Sequence, residues 1–499
     1  MTAPILIIGA GIAGLWTALK LAPQPVILLT GSPLGEGAAT GWAQGGVAVS
    51  AGHCDSIQSH TSDTIAAGAG LTRPEAAKAL ASGIGDEMEA LRALGVPFEV
   101  DAGGHLAMGL EAAHSHPRIA HIKGDQAGAL ILSTLVRAVR NAAHITIRES
   151  WSATALVPST SGGCAGVVAR DIHGVRHMVR AKQTVFATGG YGGLFADTTS
   201  PSGATGQAMA MVERLGGDIR NPEFVQFHPT AIRTGSDPLP LATEALRGDG
   251  AILADRDGVS ITDGQDLAAR DVVARAVHRA IQSGRGAFLD ARLAVGNNFP
   301  EAYPGVFAAC MAAGIDPRIQ PIPIAPAAHY TMGGIATDID GRASIDGLWA
   351  VGECACSGLH GANRLASNSL AEGLVFGHRA ASALKCEPGR AVAAIQTIVH
   401  EPPELPRIVF NGLRRAMSDL AGVTRSRASL SDLLTRIDRL HARYGETNEI
   451  VVARLVAEAA LVRTESRGGH YREDYPQPHA QAIDTMIRPT QEQRLVAAE

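Results

Sequence analysis

A short apolar run, PILII at residues 4–8, leads directly into the glycine pattern GAGIAG at residues 9–14. The residues that follow, through Leu21, have the periodicity of a helix. Glycines between a strand and a helix let the backbone approach a pyrophosphate, which the unpaired N–H groups of the helix N-terminus attract. The pattern therefore predicts a dinucleotide-binding unit; a plain glycine-rich turn is the alternative.

The second predicted strand, residues 26–29, ends at Thr30. Folds of this kind often have an acidic residue there, which binds the ribose hydroxyls. Its absence indicates that the adenosine end is held differently, and it disfavours NAD. The loop GEGAATGWAQGG, residues 35–46, is too small and flexible to form core. It is typical of a loop along a cofactor, and equally of a surface loop.

Two further apolar segments, residues 184–190 and 348–353, are predicted to be strands of the same central sheet. The second ends at Glu353, a carboxylate that can accept hydrogen bonds from a sugar-alcohol chain such as ribitol. Because ligands bind at the carboxyl ends of such strands, both ends are expected to face the cofactor. Residues 145–156 and 166–170 are expected to form a small accessory sheet.

The wide separation of these strands along the chain implies an inserted domain. We predict an α/β fold: a discontinuous Rossmann-like, dinucleotide-binding domain (1–221 and 331–390) with an inserted α+β capping domain (222–330). Prolines at 402, 403 and 406 mark a linker. The charged, helical pattern after it predicts a C-terminal helical domain (404–499) with little chemistry of its own.

The segment LHGANRLASNSLAEGLVFG, residues 359–377, places Arg364 and several small polar residues ahead of a run that has the pattern of a buried helix. The N-terminus of a helix attracts anions. An ordinary capped core helix is the alternative. Polar residues in the insertion, each of which alone is more typical of a surface, would be brought together by a cap over the cofactor. They are Gln226, His228, Thr243, Glu244, Arg247, Arg270 and His329.

Composition argues against several classes of protein. The net charge of −5 and the lack of basic clusters disfavour nucleic acid and anionic membranes as partners. No apolar run approaches the roughly 18 residues of a membrane helix, and the N-terminus resembles a strand rather than a signal peptide. The six cysteines contain no CxxC pair and suit a reducing cytoplasm. His114 and His116 lack the helical spacing of a zinc pair, so no metal is expected.

Seven strings in the chain resemble those of the succinate dehydrogenase/fumarate reductase flavoprotein family, in that family's order. They are WAQGG (42–46), QFHPTA (226–231), TEALRG (243–248), RDVVARA (270–276), APAAHYTMGG (325–334), GLHGANRLASNSL (358–370) and ESRGGHYREDYP (465–476). The resemblance runs from residue 5 to about residue 476. It is strongest to the branch that oxidises L-aspartate.

The resemblance implies FAD as a non-covalent cofactor, because Ala39 stands where respiratory members attach FAD through a histidine. It also implies that Glu111 orients the amine of the substrate. The implied cofactor contacts are Gly9, Ala10, Gly11, Ile12, Ala13, Gly14, Ala39, Thr40, Gly41, Trp42, Ala43, Gln44, Gly45, Gly46, Ala153, Thr154, Thr205, Glu353, Ser369 and Leu370. Two departures from the family are Thr205, usually an aspartate, and Ala112-Ala113, usually two glycines.

The implied reaction moves a hydride from C2 of L-aspartate to flavin N5, giving iminoaspartate for NAD synthesis through quinolinate. His228, His329 and Arg364 resemble the family's carboxylate clamp, with Thr243 adding a hydrogen bond, and Gln226 is also expected to bind substrate. Arg270 matches the proposed proton-transfer residue, which Glu244 and Arg247 would orient. The acceptor would be oxygen or fumarate, and quinolinate synthase would be a transient partner.

Two alternatives remain open. A soluble fumarate reductase would use the same fold and clamp in the reverse direction. A non-catalytic flavin-binding subunit would keep the glycine loop but would have no need for Arg270 and Arg364 together with both histidines.

Overall fold

The computed structural model describes residues 3–50, 55–387, 394–395 and 399–488 of the 499-residue chain. The outer ends of the predicted domains, residues 1–2, 388–390 and 489–499, lie outside the described residues, as does Cys54. The helices in the described ranges are α1 (Ile12–Lys20), α2 (Ile57–Ala67), α3 (Pro74–Ala93), α4 (Ala127–Arg140), α5 (Gln207–Arg214), α6 (Ala245–Gly248), α7 (Arg270–Gln282), α8 (Phe299–Ala302), α9 (Pro304–Ala312), α10 (Asn368–Cys386), α11 (Arg407–Leu420), α12 (Arg427–Tyr444) and α13 (Asn448–Val462).

The strands in the same ranges are β1 (Ile5–Ile8), β2 (Val26–Thr30), β3 (Val47–Ala48), β4 (Met108–Gly109), β5 (Ile119–Ala120), β6 (Ile145–Glu149), β7 (Ser152–Pro158), β8 (Cys164–Arg170), β9 (Arg176–Arg180), β10 (Gln183–Phe186), β11 (Ile219–Arg220), β12 (Val225–Ile232), β13 (Ile252–Ala254), β14 (Phe288–Asp290), β15 (Ile322–Thr331), β16 (Gly334–Ala336), β17 (Leu348–Ala350), β18 (Ala355–Cys356) and β19 (Met486–Ile487).

A five-stranded parallel sheet with the order β17-β10-β1-β2-β6 forms the centre of the molecule. Successive side chains of β1 enter two different cores. Ile5 and Ile7 belong to the buried cluster that contains residues of α1 and α10, whereas Leu6 and Ile8 belong to the cluster that contains residues of β8 and the C-terminal helices. Both faces of the sheet are therefore covered, as the continuous apolar runs predict. The predicted Rossmann-like sheet is confirmed.

Residues 145–149 correct one prediction. They form β6, which pairs in parallel with β2 at the edge of the central sheet and does not belong to the accessory sheet. The accessory sheet consists instead of β7, β8 and β9 in antiparallel order. The turn at Ser150, with a φ of +58°, separates β6 from β7. Because β6 and β7 are both short and partly apolar, the sequence pattern alone did not show that the chain passes from the central sheet to the accessory sheet between them.

The inserted segment has a sheet of its own. Its strands are antiparallel and have the order β12-β15-β14-β13, with α7 packed against β12 and β15. The flanking strands β11 and β16 pair with each other where the chain leaves and re-enters the larger domain. The inserted segment therefore leaves and rejoins the larger domain at two strands that pair with each other. Its boundaries at residues 222 and 330 remain predictions.

The C-terminal helices complete one face of the central sheet. Met417, Leu433 and Val452 from α11, α12 and α13 belong to the same buried cluster as Phe186 of β10. The chain then continues through an irregular segment to β19, which pairs with β11. The C-terminal region therefore shares a core with the rest of the molecule. In the parts of the chain that the structure describes, no helix is long and apolar enough to cross a membrane.

Candidate active site

A cleft of about 870 Å³ lies between the carboxyl ends of the central strands and the inserted sheet. Most of the predicted cofactor contacts line it. These are Gly9, Ala10, Gly11, Ile12, Ala13, Ala39, Thr40, Gly41, Trp42, Ala43, Gln44, Gly45, Gly46, Ala153, Glu353, Ser369 and Leu370. The predicted substrate residues that line the same cleft are Glu111, His228, Thr243, Glu244, Arg270, His329 and Arg364.

The glycine loop has the tight geometry that its sequence predicts. Gly9 has a φ of +111°, and a Cβ there would lie 2.1 Å from the carbonyl oxygen of Ala187 in the neighbouring strand connection. A Cβ on Gly14 would lie 2.0 Å from the carbonyl oxygen of Gly9. Side chains are thus excluded at both positions. Gly14 packs the start of α1 against the loop and does not line the cleft.

Two other predicted cofactor contacts lie outside the wall of the cleft. The hydroxyl of Thr154, a residue of the accessory sheet, donates a hydrogen bond to Glu401 at 2.6 Å. Thr205 is buried, and its hydroxyl has no hydrogen-bond partner among the described residues. Neighbouring residues of a strand point to opposite faces, so Ala153 of β7 reaches the cleft and the side chain of Thr154 does not.

Glu353 lies where the predicted strand end meets the cleft. Its Oε1 accepts hydrogen bonds from the backbone N–H of Thr331 at 3.0 Å and from the Thr331 hydroxyl at 3.2 Å. Burial raises the pKa of this carboxyl to about 7, against the opposing effect of the Thr331 hydrogen bonds. A carboxyl that is readily protonated can both accept and donate hydrogen bonds to hydroxyl groups.

The two site histidines come from adjacent strands of the inserted sheet. His228 on β12 and His329 on β15 pack edge to face, with 5.0 Å between the ring centroids. Nδ1 of His228 accepts from the backbone N–H of Thr230 at 3.3 Å, which assigns the proton to Nε2. Burial first, and then Arg270, lowers the pKa of both imidazoles well below the ordinary value. Both rings are therefore neutral hydrogen-bonding groups at neutral pH.

Two buried arginines from distant parts of the chain meet at Gln226. Arg270 is the first residue of α7, and Arg364 precedes α10. The side-chain oxygen of Gln226 accepts from Arg270 Nη1 and from Arg364 Nη2, each at 3.1 Å. Burial first, and then the charge of Arg270, lowers the pKa of Arg364 to about 10. Arg364 therefore remains a cation at neutral pH. Gln226 lies behind the arginines and does not line the cleft.

Glu244 holds Arg270 from the other side. Its Oε2 accepts from Arg270 Nε at 2.7 Å and lies 3.4 Å from Arg247 Nη2. Burial opposes ionisation of this carboxyl, but the two arginines prevail and hold its pKa at about 2. Arg247 is buried behind Glu244, where its Nη1 donates to the backbone oxygen of Asp266, and it does not line the cleft.

Glu111 is a second buried carboxylate, and it has no arginine hydrogen-bonded to it among the described residues. The Ser367 hydroxyl donates to its Oε2 at 2.7 Å. Burial, together with the nearby Glu244, raises the pKa of Glu111. A Cβ on Gly45 would lie 3.0 Å from Glu111 Oε1, so the glycine of the AQGG string makes room for this carboxylate. A buried carboxylate of this kind favours a cationic partner.

The family models and similar proteins agree on one assignment. The model for the FAD binding domain matches residues 4–370, and that for the fumarate reductase flavoprotein C-terminus matches residues 444–492. L-aspartate oxidase of Caulobacter vibrioides is 48% identical over 489 residues, which cover 96% of this chain and 95% of that protein. L-aspartate oxidase of Mesorhizobium japonicum is 43% identical, with 97% and 94% covered. The chain belongs to the L-aspartate oxidase branch of the succinate dehydrogenase/fumarate reductase flavoprotein family.

Solved structures of this flavoprotein family have the same fold. E. coli quinol fumarate reductase FrdA superposes with a TM-score of 0.89 at 26% identity, covering 99% of this chain and 95% of that one. Mycobacterium smegmatis Sdh1 superposes with a TM-score of 0.82 at 30% identity, covering 98% and 94%. The predicted resemblance is thus confirmed, and FAD is the cofactor of this flavoprotein chain.

The residues of the cleft fit FAD. The glycine loop exposes backbone at the start of α1, where a pyrophosphate binds. Buried polar atoms without partners among the described residues, Gln44 Oε1 and the Thr188 hydroxyl, belong to cleft-lining residues and are available to a polar ligand. Glu36, in the loop after β2, also lines the cleft, so this loop supplies an acidic side chain although Thr30 stands at the end of the strand itself.

Sequence reasoning missed several residues of this flavoprotein site. Tyr330 lines the cleft, and the guanidinium of Arg364 lies 4.6 Å from the centre of its ring. Its hydroxyl donates to the buried Glu372 at 2.5 Å. Ser367 adopts a φ of +58° at the N-cap of α10 while it bonds Glu111. Tyr330 directly follows His329, and Ser367 is close to Ser369 in the chain, each within a string quoted for the family. This proximity in the sequence was the available signal.

Proposed function

We propose that the chain oxidises L-aspartate to iminoaspartate with oxygen or fumarate as the electron acceptor, and so performs the first step of NAD synthesis through quinolinate. The observation that carries the proposal is the content of one cleft: two arginines, two neutral imidazoles and the carboxylate of Glu111, which no arginine of the described residues hydrogen-bonds. When bound, FAD supplies the acceptor for the hydride that leaves C2 of the substrate.

The cationic part of the cleft would bind the two carboxylates. The guanidinium of Arg364 can form two parallel hydrogen bonds to one carboxylate. His228 offers Nε2–H, and the hydroxyl of Thr243 lies in the same wall. His329 is held by Thr199, whose hydroxyl lies 2.8 Å from its Nδ1. Because both imidazoles are neutral, they orient a carboxylate without adding charge that would have to be neutralised.

Glu111 would bind the α-amine, which a dicarboxylate such as succinate lacks. Its carboxylate is buried, with the Ser367 hydroxyl as its donor. An ammonium group would lower the raised pKa of Glu111 and form a charge-assisted hydrogen bond. Release of the ammonium proton to solvent would leave the nitrogen lone pair free to assist departure of the hydride from C2 when FAD is bound. This residue would therefore distinguish aspartate from succinate.

Arg270 would hold charge rather than remove a proton. Its Nε donates to Glu244, a carboxylate whose pKa is about 2, and a guanidinium is in general a poor base near neutral pH. Glu244 and Gln226 fix its orientation from two sides. The N-terminus of α10, where Ser367, Ser369 and Leu370 line the cleft, would stabilise negative charge that develops on the cofactor.

The proposal includes three further points that follow the family. FAD is bound non-covalently, because Ala39 has no nucleophilic atom to attach it. Residues 222–330 act as the capping domain over residues 1–221 and 331–390, with 404–499 as the helical domain. The location is cytoplasmic, where iminoaspartate, an unstable imine, would pass to quinolinate synthase through a transient contact.

The deciding experiment is anaerobic addition of L-aspartate to the purified yellow holoenzyme. We expect loss of the oxidised-flavin absorbance on a time scale of turnover, and its return when oxygen or fumarate is admitted. Flavin that stays oxidised with L-aspartate but is reduced by succinate would overturn the proposal. That result would support the second candidate, a soluble fumarate reductase, which the TM-score of 0.89 with E. coli quinol fumarate reductase FrdA favours.

A further inference from the structure

The string ESRGGHYREDYP, residues 465–476, lies outside the cleft but contacts the elements that carry the site. Its glycine turn packs on the loop ahead of Arg364: the N–H of Gly469 donates to the carbonyl oxygen of Ala362 at 2.9 Å. A Cβ on Gly469 would lie 2.5 Å from the carbonyl oxygen of Val225, the neighbour of Gln226. The turn thus fits between two backbone segments with no room for a side chain.

Tyr471 of the same segment contacts the helix that begins with Arg270. The guanidinium of Arg275 on α7 lies 4.9 Å from the centre of the Tyr471 ring. Arg275 Nη1 is paired with Asp271 Oδ2 at 2.9 Å, one residue after Arg270. The ring of Tyr471 therefore supports the first turn of α7 through an arginine and an aspartate.

This contact continues to Gln226. Asp271 Oδ1 accepts from Asn363 Nδ2 at 3.5 Å, and Asn363 Oδ1 accepts from Gln226 Nε2 at 2.8 Å. Because its amide nitrogen is occupied in this way, Gln226 points its oxygen at both arginines. An unbroken series of contacts thus joins the C-terminal segment to the pair of site cations.

The segment itself is anchored by buried groups. Arg425 Nη1 donates to the carbonyl oxygen of Glu223 at 2.7 Å and lies 2.8 Å from His470 Nδ1. Arg463 Nε donates to Glu223 Oε1 at 2.6 Å. All four residues are buried, so the turn has little freedom to move relative to β12.

We propose that residues 465–476 are a positioning element for the reaction: through Gly469 and Tyr471 they set the separation and orientation of Arg270 and Arg364 without touching substrate or cofactor. This inference rests on the proposed function. It also revises the expectation that the C-terminal region has little chemistry of its own. Since small displacements of positioned groups reduce rates strongly, the segment should affect the rate of flavin reduction more than the affinity for FAD.

The first test is Gly469→Ala, compared with Gly412→Ala, an exposed glycine of α11 whose added Cβ would meet nothing within 4 Å. We expect anaerobic flavin reduction by L-aspartate to slow about tenfold to a hundredfold in Gly469→Ala, with unchanged FAD affinity. The control should reduce at the wild-type rate. A normal rate in Gly469→Ala, or a loss that only parallels loss of bound FAD, would overturn the inference.

A second pair of variants avoids the risk that Gly469→Ala fails to fold. Tyr471→Leu removes the ring beneath Arg275, and Tyr471→Phe keeps it. We expect slower reduction in the leucine variant and recovery in the phenylalanine variant, at equal flavin content and equal Tm. Equal rates in the two variants would contradict a positioning role.

The affinity for succinate can be measured from the change that succinate causes in the flavin spectrum. This measurement separates the proposed function from the positioning role of residues 465–476. If the wild-type enzyme is not reduced by L-aspartate, the proposed function fails. A positioning role would still appear as weaker succinate binding in Gly469→Ala than in Gly412→Ala. Equal succinate affinities together with equal reduction rates would remove the positioning role alone.

Discussion

The side-chain oxygen of Gln226 accepts a hydrogen bond from Arg364 Nη2 at 3.1 Å. The same oxygen accepts from Arg270, so one neutral amide holds together two buried cations that repel each other. The amide nitrogen donates to the backbone oxygen of Arg364 and to Asn363, which prevents the amide from turning over. Gln226 therefore acts behind the cleft as the common support of its two cations.

Replacing Gln226 with methionine should separate the two arginines at nearly constant side-chain volume. The thioether is a weak acceptor, so both guanidinium groups lose a buried hydrogen bond worth about 1.5–3 kcal/mol. We expect flavin reduction by L-aspartate to slow about tenfold or more, with FAD retained, in anaerobic stopped-flow measurements. Gln265→Met, at an exposed position of the inserted segment, is the control. Equal rates in the two variants would show that Gln226 is not needed.

Arg364→Leu should abolish reduction by L-aspartate while FAD remains bound. The leucine removes the planar donor of two hydrogen bonds to carboxylate, and Arg364→Lys keeps the charge without that geometry. We therefore expect the lysine variant to retain a small part of the activity. The flavin spectrum of the purified variants reports bound FAD, and anaerobic titration reports reduction. Normal reduction in Arg364→Leu would exclude it from the substrate clamp.

Arg270→Leu should slow the reduction step by about 10²–10³-fold, since it removes a preorganised charge from the reacting centre. Succinate binding should weaken less than reduction slows, because Arg364 and His228 remain. The loss also leaves Glu244 with Arg247 as its partner, so the pKa of Glu244 should rise. Rapid-mixing rates at saturating L-aspartate separate this effect from binding. A proportional loss of succinate affinity would make Arg270 a binding residue instead.

Glu111→Gln should discriminate between substrates. Glutamine keeps the size of the side chain and an acceptor for Ser367, but it removes the charge that faces the amine. A hydrogen bond to a charged group is worth about 1.5–3 kcal/mol, so kcat/KM for L-aspartate should fall about tenfold to a hundredfold. Succinate oxidation and fumarate reduction should change little. An equal loss for both classes of substrate would contradict amine recognition by Glu111.

His114 should make the fold sensitive to acid. Its ring lies 2.9 Å from the carbonyl oxygen of Ala366, and burial lowers its pKa from 6.5 to about 4. The unfolded chain binds the proton more readily than the folded chain, so stability is complete above pH 6.5 and is lost as the pH falls toward 4. Between pH 6.5 and pH 4 the free energy of unfolding should decrease less in His114→Gln than in the wild-type protein, by on the order of 3 kcal/mol. Urea unfolding of both proteins at each end of this pH range measures the difference. The same dependence of the free energy of unfolding on pH in the variant and the wild type would contradict the prediction.

Local patterns predicted several elements closely. The glycine loop and α1 follow an apolar strand, and α10 begins directly after Ser367. Each of these elements is determined by residues that are near one another in the chain. Glycines between a strand and a helix, and a continuous run of small apolar residues, are sufficient signals. The strings that resemble the family then indicated which charged residues would belong to the site.

The pairing of distant segments was not accessible in this way. Nothing in residues 145–149 distinguishes an edge strand of the central sheet from a strand of the accessory sheet, because both are paired by backbone groups common to all residues. Ala153 and Thr154 were both expected at the cofactor from their position in the chain, but only Ala153, which points to the other face of β7, lines the cleft.

The amino-acid sequence was enough to specify the cofactor loop, the buried helix and the identities of the acidic, basic and imidazole groups, since these depend on short-range geometry and on residue type. The three-dimensional arrangement decided which of those groups touch. It placed Gln226 between two arginines 44 and 138 residues away, and it brought Gly469 onto the loop that carries Arg364. Such contacts depend on how the packed elements cross, and chain connectivity alone does not determine that crossing.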